Sequence, residues 1–433
     1  MRRLALALLL AGAAADARPL GGTLPSGAKW QAEVPDNWNG TLLLWSRGYR
    51  PQVPATIDLA PKDTAAPLLA RGYALAATGY ARGGWAVEEG EADGIATLDA
   101  FAAAAGAPKR TIAWGSSMGG LVTTALVERH PARIDGAAPG CASIGGTPGM
   151  MNMALDGAFA FKTLLAPDDA ALRLTGIPDD RANGAAAQAI LDRAQQTPAG
   201  RARIALAGVL AGIPGWTDPA APRPADRDHA AQHAQIARSF VMGVFLPRQD
   251  SEARAGGNFS WNEGVDYTRQ LALSGRSKLV RTLYAEAGLS LAADLRALAR
   301  APRIAARPAA VTYMRDHYAP TGRTTRPVLS YQAIGDGATS PTMQRGYAEA
   351  AQAAGRAKLV RLAWVNGAGH CTFTAPEHVA IVETLADRIA TGRWRAAPAD
   401  LDARVAAAGG TPRFIAYRPT PPLRPCTGEK TCR

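Results

Sequence analysis

Three short stretches carry residue types that do nucleophilic chemistry together: Gly115-Ser116-Ser117-Met118-Gly119, Ile334-Gly335-Asp336-Gly337 and Gly367-Ala368-Gly369-His370. A serine hydroxyl is a weak nucleophile at neutral pH, so it needs a base to take its proton and a partner that fixes the tautomer of that base. Ser117, His370 and Asp336 are the candidates for these three roles, and they follow the chain order Ser, Asp, His. Glycines two positions either side of Ser117 let a strand turn directly into a helix without Cβ collisions, which lifts the hydroxyl clear of the backbone. The same turn aims a helix N-terminus, with its unpaired N–H groups and positive dipole end, at the atom under attack. Ser116 lacks flanking glycines at that spacing and is the weaker candidate. Asp336 also fits a plain Asx turn, since aspartate is common between glycines.

The elements that must position these residues are legible as a rhythm of strands and helices. Strands are expected over 29–34, 41–45, 73–78, 111–114 and 134–139, with helices over 63–70, 88–105 and 118–130 between them. From 145 to 326 the pattern breaks into Ala-rich helical and irregular sequence, and it resumes with strands over 327–333 and 359–365 and helices over 343–354 and 377–391. This alternation predicts an α/β fold with a mostly parallel sheet covered by helices on both faces. Carboxyl ends of parallel strands share one edge, so Ser117, Asp336 and His370 are expected to converge there. The domain plan is a core over 18–144 and 327–395, a helical cap over 145–326, and a Pro-rich tail over 396–433.

Composition narrows the function further. The 433 residues are 47% hydrophobic and 19% charged, the balance of a globular protein. The net charge of +12 comes with heavy Arg use but without any basic run interleaved with aromatics, which argues against nucleic-acid binding. Residues 1–17 read as an export signal: Arg2 and Arg3, an apolar run over 4–15, then Ala15-Asp16-Ala17 as a cleavage site. That run is short for a bilayer span, so a secreted or periplasmic protein without a stable membrane anchor is expected. Four cysteines are compatible with two disulfides after export. Cys426 and Cys432 bracket a short loop and suit each other. Cys141 and Cys371 fall at the same sheet edge and either bridge or stay as two buried thiols.

The Gly-x-Ser-x-Gly turn between strand and helix, with a later Asp and His each after a strand, resembles the α/β-hydrolase fold superfamily. The likeness covers roughly 20–143 and 327–391, and the insertion stands where that superfamily carries its cap. It implies the Met118 N–H as one oxyanion donor and a second from the bend after the strand over 41–45, either Tyr49 or Gly48. Arg47-Gly48 replaces the usual His-Gly there. Cys371 directly after His370 is similar to tannase and feruloyl esterase relatives, in which a disulfide ties the Ser and His loops; here Ser116, not a cysteine, precedes Ser117, and Cys141 would take that part.

The resemblance implies a secreted serine hydrolase acting on a small-molecule ester, with no metal and no organic cofactor. A prolyl-type aminopeptidase and a non-catalytic binding protein of the same fold are the alternatives. Several other residues carry bland readings. His378 is expected on the surface of its helix. His229 and His233, one turn apart, read as a solvated cap helix in preference to a metal pair. Met150, Met151, Met153, Phe159 and Phe161 read as cap core before acyl pocket, and Trp85 and Glu88 as pocket-rim candidates.

Overall fold

The computed structural model describes residues 17–427; the body of the expected export signal and Cys432 lie outside the described residues. Within them, nine strands join in one sheet: β1 (Ala17–Thr23), β2 (Lys29–Pro35), β3 (Thr41–Ser46), β4 (Ala74–Thr78), β5 (Arg110–Ser116), β6 (Gly136–Gly140), β7 (Val328–Gly335), β8 (Val360–Ala368) and β9 (Phe414–Ile415). Their spatial order is β1-β2-β4-β3-β5-β6-β7-β8-β9. Every neighbouring pair from β4 through β8 is parallel, and only the flanking pairs β1/β2, β2/β4 and β8/β9 are antiparallel.

Side-chain period explains the layers. In β3, Leu42 and Leu44 join Leu98, Phe101 and Val122 on one face, while Leu43 and Trp45 join Val379, Ile381 and Leu385 on the other. A strand buried on both faces reads as a continuous apolar run, which is why the Leu-Leu-Leu-Trp of β3 and the Ala-rich β4 are visible in the sequence. β1 was not expected, because its Ala-Arg-Pro-Leu-Gly-Gly-Thr has no alternation and is mostly exposed. It is an edge strand held by pairing with β2 alone.

Helices α1 (Ala65–Ala70), α2 (Val87–Ala105) and α3 (Met118–Arg129) cross between the early strands. Ten helices lie between β6 and β7, beginning with α4 (Thr147–Leu165) and ending with Pro308–Tyr318. They close around an apolar cluster of their own that includes Phe161, Leu206, Phe240, Val280 and Leu298. The first half of α4, with Met150, Met151 and Met153, packs instead with the sheet-side cluster. Thus α4 belongs to both cores.

The chain after 396 is more ordered than its prolines suggest. Pro398–Ala407 is a helix, started by a proline at its first turn where a missing N–H costs nothing. Further on, the buried Arg424 guanidinium donates to both carboxylate oxygens of buried Asp156 on α4, at 2.9 and 2.8 Å. Among the described residues no helix is long and apolar enough to cross a membrane.

Candidate active site

Ser117 sits between β5 and α3 with φ +59° and ψ −127°, a backbone conformation that side chains rarely adopt. The flanking glycines make this turn sterically possible. A Cβ on Gly119 would stand 2.0 Å from the Ser46 carbonyl oxygen, and one on Gly115 would stand 2.5 Å from the Gly119 carbonyl oxygen. The Ser117 N–H donates to the Gly140 carbonyl at 3.0 Å, which fixes the turn against the end of β6.

The other two predicted residues meet it. His370 Nε2 lies 2.9 Å from Ser117 Oγ, and His370 Nδ1 lies 2.8 Å from Asp336 Oδ2. The register explains the convergence: Ser46 pairs with Gly115, Ser116 with Gly140, Gly140 with Tyr331, and Gly335 with Ala368. All the loops concerned therefore leave the same sheet edge. Asp336 is fully buried, and its carboxylate also accepts the Ala338 and Thr339 N–H groups at 2.9 Å each and the Gln332 amide at 3.1 Å. Those bonds orient it independently of His370.

The His370 loop is held on both sides. Gly369, with φ +87°, donates its N–H to the Gly335 carbonyl at 3.0 Å. After the loop, Thr374 and Glu377 cap the helix Ala375–Thr391 reciprocally, and Arg413 pairs with Glu377 at 2.8 Å. Burial pushes the His370 pKa down, but the charge of Asp336 and its hydrogen bond together push harder the other way, so the net shift is upward.

Cys141 and Cys371 form a disulfide across 230 residues, with Cα atoms 5.4 Å apart. Both have positive φ, 43° and 57°. The bridge joins the segment after β6 to the residue next to His370.

Met118 opens α3, where the first N–H groups have no intrahelical partner. Gly48 approaches from the end of β3: a Cβ there would stand 3.3 Å from Ser117 Cβ and 3.9 Å from its Oγ. Sequence reasoning missed what holds this bend. Arg47, in the place of the usual histidine, is buried and donates to the carbonyls of Gly79 (3.1 and 2.9 Å), Arg82 (3.2 Å) and Gly48 (3.1 Å). Its guanidinium also lies 4.3 Å from the centre of the Tyr80 ring. The Gly84 N–H then ties to the Arg50 carbonyl at 2.7 Å.

Ser117, Met118, Gly48, Tyr49 and His370 open into a cavity of about 710 Å³. Trp85, one of the two rim candidates, lines it, and so does Met150, which read as cap core first. Glu88 does not: its carboxylate takes the Tyr313 hydroxyl at 2.7 Å and lies 3.0 Å from His317. Met151, Phe159 and Phe161 go to the cores. Met242, Leu246 and Pro247, from the helical insertion, complete the wall. No motif marks them, because only the packing of the insertion brings them to Ser117. Arg50, Lys62 and Asp58 are exposed charges on the same wall.

Two histidine expectations are corrected. His378 is buried among Trp114, Tyr331 and Phe373, with Nδ1 3.2 Å from the Tyr331 hydroxyl, and burial pushes its pKa down to about 3. The helix carrying it is covered on the face that meets the sheet. His233 is buried as well, not solvated, and its pKa is pushed down to about 4 by burial and then by Arg201. Among the described residues, no group of three or more His, Cys, Asp or Glu side chains is arranged to hold a metal ion.

No family model matches the chain. The o-phthalyl amidase of Xanthobacter agilis is 29% identical over 439 residues, covering 91% of this chain and 93% of that protein. Among solved structures, feruloyl esterase B from Aspergillus oryzae is 12% identical with a TM-score of 0.41, covering 87% of this chain and 81% of that one. An acylaminoacyl peptidase of Pyrococcus horikoshii is 8% identical with a TM-score of 0.37, and the match covers 83% of this chain but only 38% of the peptidase. The parallel run β4 through β8, the strand-to-helix turn at Ser117 and the Ser, Asp, His order at one sheet edge are those of the α/β-hydrolases, and that is the fold of this chain.

Proposed function

We propose that the protein is a serine hydrolase that cleaves a carboxylic ester through an acyl-enzyme. The observation that carries this reading is the unbroken relay from Ser117 Oγ to His370 Nε2 at 2.9 Å and from His370 Nδ1 to Asp336 Oδ2 at 2.8 Å. In this scheme His370 takes the Ser117 proton as Oγ attacks the carbonyl carbon, then passes it to the departing alcohol. Water repeats the step on the acyl-enzyme and returns free Ser117. Asp336 holds the proton on Nδ1 and stabilises the imidazolium. The Met118 N–H, with that of Tyr49 or Gly48, receives the oxyanion, and each such donor is worth about 3 kcal/mol in the transition state.

The ten helices between β6 and β7 act as a cap over 145–326 whose Met242, Leu246 and Pro247 select the substrate. Export directed by residues 1–17 is in keeping with the Cys141 to Cys371 bridge. A second reading is amide cleavage, favoured by the full-length likeness to an enzyme named o-phthalyl amidase.

Labelling with a fluorophosphonate, followed by mapping of the adduct, tests the mechanism, and matched p-nitrophenyl esters and p-nitroanilides test the bond. The expected result is an adduct on Ser117, with turnover that falls at least about 10⁴-fold in Ser117→Ala and in His370→Ala. An adduct elsewhere, or turnover that survives Ser117→Ala, refutes the reading. Faster turnover of anilides than of esters moves it to the amidase.

A further inference from the structure

The segment after Asp336 has two sides. Ala338 and Thr339 line the cavity at Ser117, whereas Ser340, Pro341 and Thr342 line a second cavity of about 440 Å³. Met153, Ile213, Trp216 and Leu279 give this second cavity an apolar wall. Among the described residues its charged lining is Arg276, Arg223, Lys278 and Arg418 against the single acidic Asp226, with His229 and Tyr417 beside them.

Arg276 is the unusual member. One guanidinium nitrogen, Nη1, donates to the Ile213 carbonyl. The other, Nη2, is buried and has no hydrogen-bond partner among the described residues, none of whose carboxylates pairs with the side chain. A guanidinium out of water normally has a carboxylate, a carbonyl or a bound anion on each face of its fork, because an unmet charged donor is expensive. Burial moves its pKa down to about 10. The space beside it is kept by Gly215, where a Cβ would stand 2.8 Å from Nη2. Arg223, Lys278 and Arg418 are exposed at the cavity and likewise have no ion pair among the described residues.

We propose that this cavity binds a small organic oxyanion, whose carboxylate or phosphate rests on Arg276 and whose apolar body lies on Met153, Ile213 and Trp216. A volume of about 440 Å³ is too large for an inorganic ion alone and falls in the range of small-molecule sites. Arg223, Lys278 and Arg418 draw the anion to the mouth. The site is separate from Ser117 and does not depend on the chemistry there.

The test is calorimetric titration of the full chain with benzoate, phenyl phosphate and, as a neutral match, benzyl alcohol. One anion is expected to bind saturably at one site per chain and the alcohol not to bind; whichever anion binds names the headgroup. Arg276→Gln should weaken it at least about tenfold, in line with losing a charged hydrogen bond. The exposed pair Lys278→Ala and Arg418→Ala should weaken it several-fold without lowering the melting temperature, which keeps the test open if Arg276→Gln does not fold. The proposal is overturned if neither anion binds, if the alcohol binds as well as the anions, or if affinity is unchanged in the folded variants.

Discussion

The disulfide between Cys141 and Cys371 closes a loop of 230 residues, the long span from the end of β6 to the residue after His370. Its removal is predicted to act on stability and on catalysis by different routes. In the unfolded chain, a cross-link over that separation removes roughly 18 cal/mol/K of conformational entropy, or about 5 kcal/mol at room temperature. For a chain of this length, with an unfolding entropy of roughly 2 cal/mol/K per residue, the loss corresponds to a melting temperature lower by about 6 °C. In the folded state the bridge ties Cys371, at φ +57° and next in the chain to His370, to the segment after β6. The double variant Cys141→Ala, Cys371→Ala should therefore melt about 6 °C lower and lose kcat through a less ordered His370 loop. Scanning calorimetry and ester kinetics on the same preparations measure both. A double variant that melts within about 1 °C of the parent and keeps its kcat would refute the argument, since the bridge would then restrain neither the unfolded chain nor the loop.

Three further predictions concern the site. Arg47→Met removes the fork that fastens the bend after β3 to Gly79 and Arg82; kcat should fall about 10²-fold with little change in KM, and Arg47→Lys should not restore it, because an ammonium lacks the planar fork. A KM effect alone would mean that the bend serves binding only. In the proposed mechanism neutral His370 is the base, so kcat/KM should rise with pH through its pKa, with the inflection above about 6.5 because Asp336 raises it. In Asp336→Asn, burial is the influence that remains, and the inflection of the residual activity should move below about 6.5; an unmoved pH profile would remove Asp336 from its assigned role. Arg50 and Lys62 outnumber Asp58 on the cavity wall, so Arg50→Glu with Lys62→Glu should lower the preference for a carboxylate-bearing acyl ester over a neutral one about tenfold at low salt; a ratio that stays constant would mean these cations do not face the acyl group.

The sequence by itself determined the parts whose signal is local. The glycines around Ser117 are required by contacts of 2.0 and 2.5 Å that any Cβ would make, and such a requirement is written at the position it constrains. The continuous apolar runs of β3 and β5 mark strands covered on both faces, and Asp336 between two glycines and His370 after Gly369 each mark a sharp loop after a strand. From these, the α/β class and the one edge on which the three residues meet were legible.

Tertiary structure decided what depends on partners distant in the chain. β1 exists because β2 is there to pair with it, and nothing in its own pattern announces a strand. His378 is interior because its helix turns that face to Trp114 and Tyr331 on the sheet, a fact that helical periodicity alone did not settle. Arg47 reads as a charged residue that breaks the family pattern, yet three backbone carbonyls folded around it make it the brace of the bend beside Ser117. Met242, Leu246 and Pro247 reach the cavity only through the packing of ten helices between β6 and β7. Steric demands are paid locally and leave a mark in the residue type, whereas burial, charge pairing and cavity walls are properties of which segments meet, and they leave none.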